Sequence, residues 1–265
     1  MIVQIISFAV LIQALAAAPS DQRIINGTDT TIEDFPFAFS LRTSSGSHTC
    51  GGSILSKLWM LCAAHCVNEY TSPILQSVQV GRTDISKTVD SSVYEIELVI
   101  IHPYYTPSNS YVNDIALIKL RVPLEFSATI QPVQLPLPCF EVPESSPEVT
   151  LIGWGLTDAG IVATTLQKVN YYAVPNEECS RIHSNTIHLS QICAAYPGGG
   201  KGQCSGDSGG PLLHNGVQVG IVSWSIKPCT IAPYPGVLTK VSHFIDFIYQ
   251  HTDLDPSAYK NAKCS

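Results

Sequence analysis

Three short segments contain the residue types needed for nucleophilic attack on a carbonyl group: Ala63-Ala64-His65-Cys66, Asn113-Asp114-Ile115 and Gly206-Asp207-Ser208-Gly209-Gly210-Pro211. A serine hydroxyl is a poor nucleophile until a base removes its proton. An imidazole, with a pKa of roughly 6.5, can accept and return that proton near neutral pH. A carboxylate can hold the imidazole in the productive tautomer. The three segments therefore predict Ser208 as nucleophile, His65 as general base and Asp114 as its orienting group.

Taken singly, each segment also has an ordinary structural interpretation. A histidine beside a cysteine could lie in the core or bind a metal, an aspartate could cap a turn, and a serine between glycines could mark a tight turn. A zinc or redox protein is disfavoured, because the closest cysteine pair, Cys62-x-x-x-Cys66, has no matching second pair. We interpret the remaining histidines as surface or structural residues: His48, His102, His183, His188, His214, His243 and His251.

The elements that must position these residues are predicted to be strands. Short apolar runs such as Val217–Trp224 recur every 8–12 residues or so between Gly, Pro, Asn and Ser, which indicates an all-β sandwich or barrel. Val241, Phe244, Ile245 and Ile248 repeat at helical spacing and predict a C-terminal amphipathic helix over 241–251. The segment Pro132–Pro147 contains five prolines and is the best candidate for a link between two halves.

Composition narrows the class of protein. The 265 residues include 14 Lys+Arg and 21 Asp+Glu, a net charge of −7, and no cluster of basic residues, so a nucleic-acid partner is not expected. Nine cysteines are hard to explain in a reducing cytosol without a metal, and their odd number leaves at least one without an internal partner.

Residues 1–18 are almost entirely apolar and end in Ala16-x-Ala18, which predicts a cleaved signal peptide and secretion to the extracellular space. The alternative is a membrane anchor, but the run is at the short limit of a span. No later run is long enough to cross a bilayer, so we expect no membrane association. Secretion also predicts that most cysteines form disulfides.

With these motifs the chain resembles the trypsin/chymotrypsin-like serine proteases from Ile24 to about His251. The triad roles given above are those of this family, which is itself the standard example of such chemistry. The resemblance implies two packed six-stranded antiparallel β-barrels, about 24–131 and 132–251, with a C-terminal α-helix and a tail at 252–265. It implies a monomeric endopeptidase that acts on proteins or peptides, is bound by protein protease inhibitors and needs no cofactor.

The same resemblance assigns the oxyanion hole to the backbone N–H groups of Gly206 and Ser208. It does not imply a metal, because Val80-Gly81 is followed by Arg82 where calcium-binding members have Glu. The competing function class is a catalytically silent homologue that serves as a binding module. Such proteins typically lose a triad residue or a glycine donor, and this chain has lost none.

Arg23-Ile24-Ile25-Asn26-Gly27 resembles the activation junction of the family. Residues 19–23 would be a propeptide, and an activating trypsin-like protease would cleave after Arg23. The new ammonium group of Ile24 would then pair with Asp207 and order the oxyanion hole. The alternatives are an ordinary surface arginine and a turn-capping aspartate. Asn26 also begins the N-glycosylation sequence Asn26-Gly27-Thr28, whose occupancy stays open.

The resemblance implies three disulfides: Cys50–Cys66, Cys179–Cys193 and Cys204–Cys229. Of the remaining cysteines, we expect Cys139 and Cys264 to pair and to pin the C-terminal tail. Cys62 is then unpaired, and we interpret it as a buried small hydrophobic residue. The alternative is a reactive thiol that tunes activity.

The resemblance places Gly202 and Gly236 where an acid could sit in the specificity pocket, and Gln203, Ser223, Trp224 and Ser225 on its walls. A cationic side chain would be desolvated there without a partner, so cleavage after Arg or Lys is not expected. We expect a chymotrypsin-like preference for large apolar or aromatic residues, with an elastase-like preference for small residues as the alternative.

Overall fold

The computed structural model describes residues 24–67 and 76–258. The predicted signal peptide and propeptide, together with Cys264, lie outside these ranges and stay predictions. Within the described ranges, no helix has both the length and the apolar composition needed to cross a bilayer.

The first half of the chain forms a closed antiparallel β-barrel. Its strands are β2 (Ala38–Arg42), β3 (His48–Ile54), β4 (Trp59–Cys62), β5 (Ser77–Val80), β6 (Val93–Ile101) and β7 (Ala116–Leu120), which follow a short strand β1 (Thr28–Asp29). The order around the barrel is β2-β3-β4-β7-β6-β5, and β5 pairs with β2 to close it. The barrel interior is filled with aliphatic and aromatic side chains such as Phe39, Leu61 and Ile118.

The second half forms another antiparallel barrel. Its strands are β8 (Glu148–Gly153), β9 (Gln167–Val174), β10 (Gln191–Ala195), β11 (Pro211–His214), β12 (Val217–Trp224) and β13 (Gly236–Lys240). They run in the order β9-β10-β13-β12-β11-β8, and pairing of β8 with β9 closes the ring. In β9 buried Val169 and Tyr171 alternate with exposed Asn170 and Tyr172, the period of a strand with one face in the core. The expected pair of six-stranded barrels is therefore confirmed.

The two ends of the described chain each pack on the opposite barrel. Strand β1 pairs with β9 of the second barrel. At the other end, α2 (Ile245–His251) places Ile245 and Ile248 in the core of the first barrel. A tighter 3-10 turn over Val241–Phe244 precedes α2, so the helix predicted over 241–251 is present but begins with a 3-10 segment. A second helix, α1 (Asn176–His183), joins β9 to β10.

The proline-rich segment connects the two barrels through backbone hydrogen bonds to both. The N–H of Val133 donates to the carbonyl of Ile54 in β3, at 2.8 Å. One residue later, the carbonyl of Gln134 accepts from the N–H of Gln218 in β12, at 2.9 Å. The link is therefore fixed to both barrels.

Candidate active site

His65 and Asp114 lie together at the edge of the first barrel. His65 is in a 3-10 turn just after β4, and Asp114 lies just before β7, which pairs with β4. The buried carboxylate of Asp114 accepts from His65 Nδ1 at 2.7 Å and from the His65 backbone N–H at 2.9 Å. Nδ1 is thereby held as the donor, which leaves Nε2 free to accept a proton. The ring of Tyr111 covers His65 edge-on, with centroids 5.8 Å apart.

Ser223, predicted only as a pocket wall, has a second role. Its hydroxyl donates to Asp114 Oδ2 at 2.6 Å, the same oxygen that accepts from His65. Because Asp114 has no solvent exposure, its carboxylate needs such donors in place of water. Ser223 therefore helps to position the carboxylate that holds His65. The contact of Ser223 with Asp114 and the contact of Tyr111 with His65 could not be predicted from the sequence, since both arise only in the folded chain.

Ser208 reaches the same site from the second barrel. It lines one cavity of about 340 Å³ together with His65. Its carbonyl accepts from the N–H of Gly51 in β3 at 2.8 Å, which fixes the loop of Ser208 to the first barrel. Among the described residues no hydrogen bond joins Ser208 Oγ to His65 Nε2, and such bonds often tighten only when substrate is bound.

The two N–H groups of the predicted oxyanion hole, those of Gly206 and Ser208, donate to no acceptor in the described chain. Gly206 has φ +94°, and a side chain there would press on the backbone of Gly155. Only glycine fits both requirements without strain. Two free N–H groups beside a serine can stabilise a developing oxyanion.

His48, interpreted from the sequence as a surface or structural residue, has a structural role in supporting this loop. Its Nε2 donates to the carbonyl of Gly206 at 2.9 Å, and its Nδ1 accepts from Ser40 Oγ at 2.8 Å. Burial, the largest cause, lowers the pKa of His48 to about 4, with a smaller contribution from the positive charge of Arg42. The ring is therefore neutral at physiological pH and holds Gly206 as an uncharged donor.

Asp207 is buried beneath the loop in a cradle of backbone groups. Its carboxylate accepts from the N–H of Gly155 and from the N–H of Cys204, both at 2.9 Å. A side chain at Gly153 or Gly155 would overlap the carboxylate, so both positions require glycine. Burial raises the pKa of Asp207 to about 7, against the opposing effect of the two N–H donors. No Lys or Arg of the described chain is within ion-pairing distance of it.

Ile24, the predicted new terminus, is fully buried in the core of the second barrel, which also contains Tyr171. Asn26 is exposed, and its Nδ2, the atom that a glycan would occupy, donates to the carbonyl of Gly200 at 2.8 Å. A glycan at Asn26 would therefore replace one hydrogen bond. Occupancy and the ion pair between Ile24 and Asp207 stay predictions.

The pocket beside Ser208 has no acidic side chain at its predicted base. Gly202 and Gly236 lie on facing segments, and Gln203 lies between them with 4% exposure. Gln203 Nε2 donates to the carbonyl of Trp224 at 2.9 Å. Ser225 lines the pocket as well.

Three disulfides hold the loops around the site, and they are the pairs that the resemblance implies: Cys50–Cys66, Cys179–Cys193 and Cys204–Cys229. Cys139 is also disulfide-bonded, and its predicted partner Cys264 lies outside the described residues. Cys62 is free and fully buried. Its Sγ donates to the carbonyl of Gly51 at 3.2 Å, and burial raises the pKa of the thiol well above its usual range.

In the described part of the chain, one group of side chains is close enough to hold a metal ion: Cys50, His65 and Cys66. Both sulfurs belong to the Cys50–Cys66 disulfide, so neither is a thiolate that could ligate a metal. The group therefore offers one imidazole, which Asp114 already orients.

Comparison with known proteins agrees with this geometry. The family model described as Trypsin matches residues 24–248. The chain is 39% identical over 240 residues to trypsin II-P29 of Gallus gallus, covering 89% of this chain and 92% of that protein. It is 37% identical over 235 residues to a trypsin of Phaedon cochleariae, covering 87% and 89%. A trypsin of Xenopus laevis is 36% identical over 242 residues, covering 90% and 94%.

Proposed function

The chain belongs to the trypsin family of serine endopeptidases, and from this membership we propose that it hydrolyses peptide bonds through an acyl-enzyme on Ser208. The observation that carries the proposal is the geometry of His65, whose Nδ1 is held by buried Asp114 while its side chain lines one cavity together with Ser208.

The proposed reaction has two balanced halves. Ser208 Oγ attacks the carbonyl carbon and its proton passes to His65 Nε2, while the N–H groups of Gly206 and Ser208 bind the oxyanion. The C–N bond then breaks, and His65 returns the proton to the leaving amine. A water molecule attacks the ester in the same way, giving its proton to His65, which returns it to Ser208 Oγ as the acid product leaves.

We propose that the protein is secreted as an inactive precursor and activated by cleavage after Arg23. Asp207 supports this: no Lys or Arg of the described chain lies within ion-pairing distance of its buried carboxylate, and burial raises its pKa. A new ammonium group at Ile24 would supply that partner. The preferred residue before the cleaved bond is proposed to be uncharged, since Gly202 and Gly236 give the pocket base no carboxylate. This proposed preference differs from cleavage after Arg or Lys, which the name trypsin suggests for the relatives.

The test is active-site labelling before and after cleavage with a trypsin-like protease. A fluorophosphonate that lacks a pocket-filling side chain should label Ser208 in the cleaved protein, as mapped by mass spectrometry. Ser208→Ala should not be labelled, and Arg23→Gln should remain unlabelled after the same treatment. Absence of labelling in cleaved wild-type protein would favour a catalytically silent homologue. Full labelling of Arg23→Gln would overturn the activation scheme.

A further inference from the structure

The specificity pocket is divided by one side chain. A cavity of about 340 Å³ opens beside His65 and Ser208, and a second cavity of about 480 Å³ adjoins it, lined by Tyr171, Gly202 and other residues. Gln203 and Ser225 line both cavities. They therefore stand at the boundary between the substrate-facing cavity and the second cavity.

Gln203 crosses this boundary and is held at both ends. Its backbone belongs to one wall, next to Cys204 of the Cys204–Cys229 disulfide. Its amide reaches the opposite wall, where Nε2 donates to the carbonyl of Trp224. The amide also lies flat on Gly236, so that a Cβ added there would be 2.7 Å from Gln203 Cδ. A side chain fixed in this way forms the floor of the substrate-facing cavity.

The polar contacts of Gln203 show that this arrangement is not optimal for stability alone. The carbonyl of Trp224 requires Nε2 as the donor, which fixes the direction of the amide. Oε1 is then buried without a hydrogen-bond partner in the described chain. A buried acceptor without a partner is destabilising. Tyr171, which lines the second cavity, has another such group, because its fully buried hydroxyl also lacks a hydrogen-bond partner in the described chain.

We infer that Gln203 closes the specificity pocket and restricts the residue before the cleaved bond to a small uncharged side chain. This inference rests on the proposed function, because it concerns the substrate of the same site. It favours the elastase-like alternative over the preference for large aromatic residues. On this inference the ring of a Phe side chain would have to enter the volume that the Gln203 amide fills, whereas a methyl or isopropyl group is too short to reach it.

A corollary concerns the second cavity. With Gln203 shortened, the two cavities should become continuous, since Ser225 is the other described residue that lines both. The volume of about 480 Å³ that Tyr171 and Gly202 help to line would then be added to the substrate-facing cavity. Truncation of one residue should therefore convert a small-residue pocket to one that accepts large residues.

The experiment uses the cleaved full-length protein and peptides that differ only in the residue before the cleaved bond: Ala, Val, Phe or Arg. For wild type, kcat/KM should be at least about tenfold higher with Ala or Val than with Phe or Arg. Gln203→Ala, and Gln203→Ser as a second truncation, should raise the Phe-to-Ala ratio by at least about tenfold. Gln250→Ala, the same chemical change at an exposed position of α2, should leave the ratio unchanged.

Titration with the fluorophosphonate gives the concentration of active sites for each variant, which separates this inference from the proposed function. If wild type is not labelled, the proposed function fails. If it is labelled but prefers Phe or Arg, the inference is overturned. A change in the Phe-to-Ala ratio of less than about tenfold for both Gln203 variants also overturns the inference. So does an equal change in this ratio produced by Ser225→Gly alone, because Ser225 at the pocket entrance would then be the residue that excludes large side chains.

Discussion

Acid should destabilise the protein through His48, and the size of the effect follows from its surroundings. The imidazole is neutral in the fold because burial lowers its pKa to about 4 from an ordinary value of 6.5. Below pH 6.5 the unfolded chain binds a proton at this residue, whereas the folded chain does not until pH 4. The stability that neutral His48 contributes is therefore fully present above pH 6.5 and decreases as the pH falls toward 4.

The magnitude comes from the difference between the two pKa values. Each pKa unit is worth about 1.4 kcal/mol, so a difference of 2.5 units corresponds to up to about 3 kcal/mol. This loss of stability should first affect the loop that contains Gly206, because Nε2 of His48 donates to the carbonyl of Gly206. Asp207, buried beneath the same loop, titrates with the opposite sign, so the wild-type curve alone would conceal the effect.

The assay is urea unfolding of His48→Gln and its parent, both carrying Ser208→Ala to prevent self-digestion, at about pH 7.5, 6, 5 and 4. Glutamine can still donate to the carbonyl of Gly206 but does not titrate. The free energy of unfolding of the parent, relative to the variant, should fall by up to about 3 kcal/mol across this range. A difference that does not depend on pH would refute the reasoning, because contributions from all other groups cancel in the comparison.

Three further predictions concern the groups around the triad. Ser223→Ala removes a donor to buried Asp114 and should lower kcat by about 5- to 30-fold, corresponding to about 1–2 kcal/mol, with KM unchanged in steady-state kinetics; an equal rise in KM would contradict a positioning role. The thiol of Cys62 should react with iodoacetamide only after unfolding, because it is fully buried, and rapid alkylation of native protein would contradict this. In uncleaved Arg23→Gln protein, the pKa of Asp207 is about 7 in the folded chain and 3.8 in the unfolded chain. Between these two pH values Asp207 is protonated in the folded chain and ionised in the unfolded chain. Stability should therefore fall by up to about 4 kcal/mol as the pH rises from 4 to 7, and Asp207→Asn should abolish that fall in urea unfolding.

The candidate triad of His65, Asp114 and Ser208 could be proposed from the sequence because each residue lies in a contiguous motif. The strand pattern and the C-terminal helix were likewise carried by local periodicity, and the two-barrel arrangement came from the resemblance. The role of His48 could not be predicted, since its partner Gly206 is 158 positions away and neither neighbourhood marks the contact. Gln203 could be predicted as a pocket wall, but not as its floor, because that depends on how closely Gly236 approaches it.

The alignment of the catalytic groups depends on short polar contacts between the barrels. His65 and Asp114 come from the first barrel and Ser208 and Ser223 from the second, and the bond from Ser223 to Asp114 is 2.6 Å long. The N–H of Gly51 holds Ser208 from the opposite side at 2.8 Å. A displacement of the barrels by about 1 Å would break both bonds, and misplacement on that scale costs about 100-fold in rate. The crossed packing of β1 on the second barrel and α2 on the first resists this displacement, so both elements support the alignment of the proposed catalytic groups although neither lines the substrate cavity.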